Sequence, residues 1–308
     1  MRNPRVAGAP ISWGVCEAPG WGLQLDADDV LAELRSAGYV ATEAGPDDFI
    51  AASGGVLASR LATAELDLAG AFIPVSLHDA AARERSVVSF DAAIDRIERF
   101  PDAVACLAVL GARADYEARE VLDDDGWKRT LAGLDELAAR AAARGVTCVV
   151  HPHVGTVVER SEDVDRVLDG SAIGLCLDTG HLMLGGVDPL ELARRVAGRI
   201  AHVHLKDVDH LRAERWRAGR SPSYHASVAD GMYVALGTGD ACVADVIDAL
   251  AGSGYDGWYV LERDAVLDPS GGRDRDARVG SAERDRTWVE GRIAATGSTT
   301  DATSGARR

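Results

Sequence analysis

Between Ile173 and Asp207 the chain reads as strand, helix, strand, and that unit restricts the folds open to it. Ile173–His181 (IGLCLDTGH) and Ile200–Asp207 (IAHVHLKD) are short apolar runs that stop at ionisable residues. Pro189–Val196 lies between them, with Leu190, Ala193 and Val196 at helical spacing and charges on the other side. Two strands joined by a helix at this length pair in parallel. Parallel α/β folds gather their ligands at the carboxyl ends of the strands. Asp178, His181, His202 and His204 are therefore expected to meet at one rim.

The same rhythm extends along the chain. Further strands are expected at Val6–Ser12, Tyr39–Ala44, Leu68–Pro74, Val104–Leu110, Val146–Val150 and Gly257–Leu261. Helices are expected at Asp26–Ala37, Val56–Glu65, Phe90–Phe100, Gly126–Arg144 and Ser161–Leu168, from an Asp240 cap to Ala251, and at Arg284–Ala294. Eight strands alternating with helices predict an α/β fold, a (β/α)8 TIM barrel formed as a single domain by residues 1–295. Residues 296–308 (TGSTTDATSGARR, from Thr296) are low in complexity and expected to be disordered. No glycine-rich GxGxxG follows a predicted strand, which removes support for dinucleotide binding. The segment 207–231 breaks the alternation; it is long, polar and arginine-rich, and is expected to be a lid or a contact in a homo-oligomer.

Composition narrows the partners. A net charge of −16 disfavours nucleic acid and anionic membranes, both of which call for a basic surface, and fits a small neutral polyol or ketose. The five cysteines show no paired spacing, and Cys106, Cys148 and Cys176 fall in apolar runs, as buried free thiols of a reducing, cytoplasmic environment do. No apolar run approaches the ~20 residues of a membrane span.

Ionisable residues cluster at the predicted strand ends: Glu43, His78, His151, His153, Asp178, His181, His202, His204, Lys206 and Glu262. Six of the eight histidines are among them. His151, Asp178, His204 and Glu262 fall on four consecutive strands, and two imidazoles with two carboxylates make a site for a divalent transition metal. Each residue alone has a plainer reading. A strand-end histidine more often just satisfies a hydrogen bond, Asp178 could cap the turn after it, and Lys206 and Asp207 could form an exposed ion pair. Agreement across four strands favours the metal.

At this point the sequence resembles a known group. LDTGH (177–181), HVHLKD (202–207) and a strand-eight glutamate are similar to the xylose-isomerase-like barrels. APISWGV (9–15), PGWG (19–22), ATEAGP (41–46), HPHVGT (151–156) and DGMYVALGTGD (230–240) resemble the inosose dehydratase branch. The resemblance implies a Mn²⁺- or Co²⁺-dependent removal of water from a keto-inositol such as scyllo-inosose, giving a trihydroxycyclohexane-dione. His151 stands where the superfamily usually carries a strand-five glutamate, so the two-carboxylate proton shuttle of its epimerases loses one member. Elimination needs one base for an α-proton and a donor for the departing hydroxide. His153, His181, Lys206 and Glu43 are the candidates for these tasks. Trp13, His78, His202, Asp207 and Arg263 are expected to contact substrate; Trp13 and Trp21 could form an apolar wall over the ring or serve only the core. A sugar or sugar-phosphate isomerase or epimerase of the same superfamily is the alternative activity, and a non-catalytic sugar-binding barrel the alternative class. A phosphodiesterase acting on abasic DNA fits poorly with the acidic surface.

Overall fold

The computed structural model describes residues 5–113, 116, 117, 119–270 and 274–304. Eight parallel strands close into a barrel: β1 (Val6–Gly8), β2 (Ala41–Glu43), β3 (Asp67–Val75), β4 (Val104–Val109), β5 (Thr147–Val150), β6 (Gly174–Asp178), β7 (Ile200–Leu205) and β10 (Tyr259–Leu261), the last pairing with both β7 and β1. Between them run α1 (Ala27–Ser36), α2 (Gly54–Thr63), α3 (Ala80–Ile97), α4 (Asp124–Ala142), α5 (Ser161–Gly170), α6 (Thr179–Leu184), α7 (Pro189–Arg195) and α10 (Val243–Gly252), with α11 (Arg275–Ser304) closing the chain. Among the described residues no helix is long and apolar enough to cross a membrane.

Side-chain alternation sorts the strand residues into two environments. Val150, Leu175, Leu177, Val203, Leu205 and Leu261 pack outward into the large core beneath the helices. Their neighbours Val149, Cys176 and Val260 pack in small separate clusters instead. Two residues beyond each of these stand His151, Asp178 and Glu262, and His204 follows His202 in the same way, so the inward face turns from apolar to ionisable at the mouth. Of the cysteines, Cys16, Cys106, Cys148 and Cys176 are buried free thiols and Cys242 is exposed.

Several boundaries differ from expectation. The first strand stops at Gly8, because Pro10 opens a 3-10 turn (Pro10–Trp13) that ends on Gly14 at φ 74°. α3 starts well before Phe90, where the Asp79 carboxylate accepts from the Ala82 N–H at 2.8 Å. Asp240 does not cap α10; it accepts from the His210 N–H, and the helix begins after Cys242. α11 starts before Arg284 and runs on over residues 296–304, while 305–308 lie outside the described residues.

The 207–231 insertion is folded. It forms β8 (Asp207–Val208), α8 (His210–Arg217) and α9 (Tyr224–Ala229), and β8 pairs antiparallel with β9 (Tyr233–Val234). Val208, Ala213, Tyr224, Val228, Met232 and Tyr233 pack there as a core separate from the barrel's. Asp207, expected at the substrate, anchors this layer instead. Its Oδ2 accepts from the Gly237 and Gly239 N–H groups, both at 2.9 Å, and its Oδ1 from Val208 and Ala241, both at 3.1 Å. Glycine is required at 239, where a Cβ would stand 2.5 Å from Asp207 Oδ1. Asp207→Ala strands several buried amides and is expected to lower the unfolding free energy by about 3 kcal/mol, read by denaturant titration. An unchanged midpoint would refute the anchoring role.

Candidate metal centre and active site

Local sequence explains how each ionisable side chain reaches the mouth. LDTGH ends β6 and turns at once into α6. Asp178 caps that helix with one oxygen, Oδ1, which accepts from Gly180 N at 2.9 Å and His181 N at 2.8 Å. Its other oxygen, Oδ2, faces His151 Nε2 at 3.3 Å, His204 Nδ1 at 3.5 Å and Lys206 Nζ at 3.7 Å. The Thr179 hydroxyl donates to the Lys206 carbonyl at 2.7 Å and accepts its N–H at 2.9 Å, joining the ends of β6 and β7. A Cβ on Gly180 would lie 2.6 Å from Lys206 Cβ, so that position takes only glycine without displacing the lysine.

Asp178, His204 and Glu262 present ligand atoms within 4.8 Å of one another, and a second such trio joins His151 to Asp178. His204 Nδ1 lies 3.3 Å from Glu262 Oε2, and neither that nitrogen nor His151 Nδ1 has a hydrogen-bond partner among the described residues. Atoms arranged tetrahedrally at about 2.1 Å from an ion stand about 3.4 Å apart, so separations of 3.3–3.5 Å suit a shared divalent cation. His204 Nε2 is held from behind, 3.1 Å from Glu43 Oε1, which also receives His202 Nε2 at 2.9 Å. A carboxylate behind a ligating imidazole fixes its tautomer and orientation. Glu43 therefore positions His204.

The field in this cluster is read from its acids and bases. Burial raises the carboxyls of Glu43, Asp178 and Glu262, but their neighbours outweigh it: His204 and His202 for Glu43, Lys206 with hydrogen bonds from His151 and His204 for Asp178, and His204 and Lys206 for Glu262, which falls to about 2. Burial lowers His204, yet the groups around it, Cys176, Glu262 and Glu43 foremost, drive it well above the usual range. His202 rises to about 9 against its own burial, through Cys106 and Glu43.

The catalytic candidates separate by environment. His153 lines the cavity, and its Nδ1 is 2.8 Å from the Val154 carbonyl, so Nδ1 carries the proton and Nε2 is bare. Burial, and then His151, push it down to about 3. The His181 ring lies against it, tilted by 39° with the centroids 3.7 Å apart, and is 3.1 Å from Lys206 Nζ. Lys206 also lies 2.8 Å from both Glu262 and Asp264; despite burial, Asp264 and Glu262 hold it well above the usual amine range.

Four expected substrate contacts lie away from the cavity of Glu43, His151, His153, His204, Lys206 and Glu262, in addition to Asp207. Trp13 is fully buried in the core, its indole N–H donating to Glu33 at 2.9 Å. His78 lies 3.7 Å from Glu120 at the start of α3, and Arg263 pairs with Asp285 and donates to Ser281. His202 is fully buried under Glu43, inside the barrel. These outcomes share a cause: each polar group found a protein partner that sequence spacing does not reveal. One residue was missed. Asp264 lines the cavity, accepts from Lys206 at 2.8 Å and from the Tyr224 hydroxyl at 3.2 Å, and its carboxyl is raised by burial. It stands two residues after Glu262 on the same face, and strand periodicity was the signal for it.

Comparison with known proteins agrees with this fold. Residues 31–282 match the family described as "Xylose isomerase-like TIM barrel". Inosose dehydratase of Geobacillus kaustophilus (strain HTA426) is 32% identical over 280 residues, covering 87% of this chain and 89% of the relative. The chain belongs to the xylose isomerase-like TIM barrel family and, within it, to the branch of the inosose dehydratases. A structure of L-ribulose 3-epimerase shares the fold over 99% of both chains, with TM-score 0.69 and 20% identity. So does a structure of IOLI protein with a zinc atom, at TM-score 0.64 and 16% identity, over 94% of this chain and 99% of that one.

Asp178→Ala and Glu262→Ala proteins are expected to lose stoichiometric divalent metal in elemental analysis. Glu43→Gln, which weakens the support behind His204, is expected to lower metal affinity about 10–100-fold. Full retention by both alanine variants would refute the ligand assignment.

Proposed function

We propose that the protein is a metal-dependent hydro-lyase that removes water from a keto-inositol, scyllo-inosose or a close relative. The observation that carries this reading is the coincidence of whole-chain similarity to inosose dehydratases with a buried His151–Asp178–His204–Glu262 set. Donors of this kind suit Mn²⁺, Co²⁺ or Zn²⁺. The resemblance favours the first two, while a fold relative has been found with zinc. A divalent cation held there would supply Lewis acidity to a chelated carbonyl and so acidify the neighbouring C–H.

The chain's own groups divide the remaining work. His153 offers its Nε2 lone pair to the cavity and is neutral before it takes a proton, because burial, and then His151, lower it. His153 is lowered from the ordinary imidazole range and Lys206 raised above the ordinary amine range. Less base strength is needed to deprotonate a C–H acidified by a bound cation. Lys206, kept cationic by Asp264, Glu262 and Asp178, is the donor to the leaving hydroxyl, with His181 Nε2 beside it at 3.1 Å. Buried walls around these groups limit water and so strengthen their electrostatic action.

β5 delivers His151 where a two-base epimerase of this superfamily would need a carboxylate. Proton NMR of scyllo-inosose incubated with Mn²⁺- or Co²⁺-loaded protein in D₂O is expected to show loss of ring signals to a dehydrated, ultraviolet-absorbing enol. Lys206→Ala should lower kcat by about 10²–10⁴-fold, the range of a lost general acid. Recovery of a deuterated, inverted sugar with no dehydrated product would replace the hydro-lyase reading with epimerisation.

A further inference from the structure

The cavity against the candidate metal ligands is small, about 80 Å³, the space of roughly two or three waters. A polyhydroxylated cyclohexanone ring does not fit within it alone. Because Glu17, Phe72, Tyr116 and His153 line both spaces, this cavity adjoins a second chamber, of about 720 Å³. That is well inside the usual range for a complete ligand pocket, and several times what one such ring fills.

The walls of this outer chamber are chemically distinctive. Trp21, Phe72, Pro74, Leu110, Tyr116 and Val154 line it. Trp21 and Tyr116 lie 5.7 Å apart between ring centroids, and Tyr116 is braced by stacking on Tyr224 at 5.0 Å. Apart from the Glu17 carboxylate and His153 Nε2, at the boundary with the inner cavity, most polar groups of the wall are engaged already. The Trp21 indole N–H donates to the Ala265 carbonyl at 2.9 Å, and His225 Nε2 meets the Trp21 carbonyl at 2.9 Å. The Thr156 hydroxyl is bonded to His153 O at 2.8 Å, Ser223 Oγ caps α9 through the Ala226 N–H at 2.9 Å, and Glu117 accepts from the Tyr224 N–H. A second polyol ring placed here would be desolvated against aromatic faces with few partners for its hydroxyls, which is unfavourable. An apolar group would lose nothing and gain aromatic contact.

We infer that the outer chamber is a substituent subsite, and that the substrate class extends to keto-polyol rings carrying an alkyl or aryl group. The ring's ketone sits toward His204 and Glu262, and the substituent lies among Trp21, Phe72 and Leu110. This rests on the hydro-lyase reading for the ring and adds the chemistry of what the ring carries.

The test compares scyllo-inosose with its mono-O-benzyl ether on metal-loaded protein, and in parallel the calorimetric Kd values of scyllo-inositol and its O-benzyl ether. Burying a phenyl-sized group predicts a preference for the benzylated member of each pair of roughly 10-fold or more. Trp21→Ala should bring that ratio toward one. Leu110→Asn, a change on the same wall that leaves the Trp21 indole bond intact, should do the same. If scyllo-inosose is dehydrated while the ethers react and bind no better than the parents, the subsite inference is overturned and the hydro-lyase reading stands. If neither ketone is consumed, the hydro-lyase reading falls, and the inositol pair alone decides the subsite: a ratio near one overturns it, a retained preference supports it.

Discussion

Asp178 ties the barrel to its chemistry because its two oxygens are committed in different directions. Oδ1 closes the first turn of α6 through the Gly180 and His181 N–H groups, fixing the carboxylate plane. Oδ2 is thereby aimed at His151, His204 and Lys206. The plainer reading of Asp178 as a cap therefore holds, and the cap itself leaves the second oxygen facing the other candidate ligands. Thr179 and Gly180 serve the same junction, the first by bonding β6 to β7 and the second by leaving room for the Lys206 side chain. LDTGH and HVHLKD, distant in sequence, form one structural unit.

Around that junction the mouth confines Glu43, Asp178, Glu262 and Asp264 with Lys206 and the imidazoles, all buried. Like charges this close in a low dielectric persist only where opposite charges balance them. Lys206 offsets Glu262 and Asp264, and His202 and His204 offset Glu43. A bound divalent cation would add to that balance and, by binding only the folded chain, stabilise it in proportion to its concentration. Asp264 has the one carboxyl of the four raised above its ordinary range, because it is buried and faces Glu262. It links Lys206 through Tyr224 to the Tyr233 hydroxyl, and so to the folded 207–231 layer.

The barrel was legible because its signals are local and repeated: apolar runs of strand length, each followed by a helix, with ionisable residues at the carboxyl ends. His151, Asp178, His204 and Glu262 could be chosen together because each ends a strand on the inward register, and the fold places them side by side. What was less legible depended on partners far away in sequence. Arg263 and Trp13 look like site residues until Asp285 and Glu33 claim them. The 207–231 segment reads as a polar loop because its apolar residues, such as Ala213, Tyr224 and Val228, pack against Trp21 and Val154 rather than in one long helical stripe. Asp264 was missed although the period that selected Glu262 reaches it. Its partners, Lys206 and Tyr224, become visible only in three dimensions.

Anomalous diffraction from a crystal soaked in Mn²⁺ or Co²⁺ tests the central claim most directly. The account predicts one strong peak within about 2.3 Å of ligand atoms from His151, Asp178, His204 and Glu262. A peak seated instead on the deeper group of Glu43, Cys106 and His202, or no peak under conditions that support turnover, would contradict it.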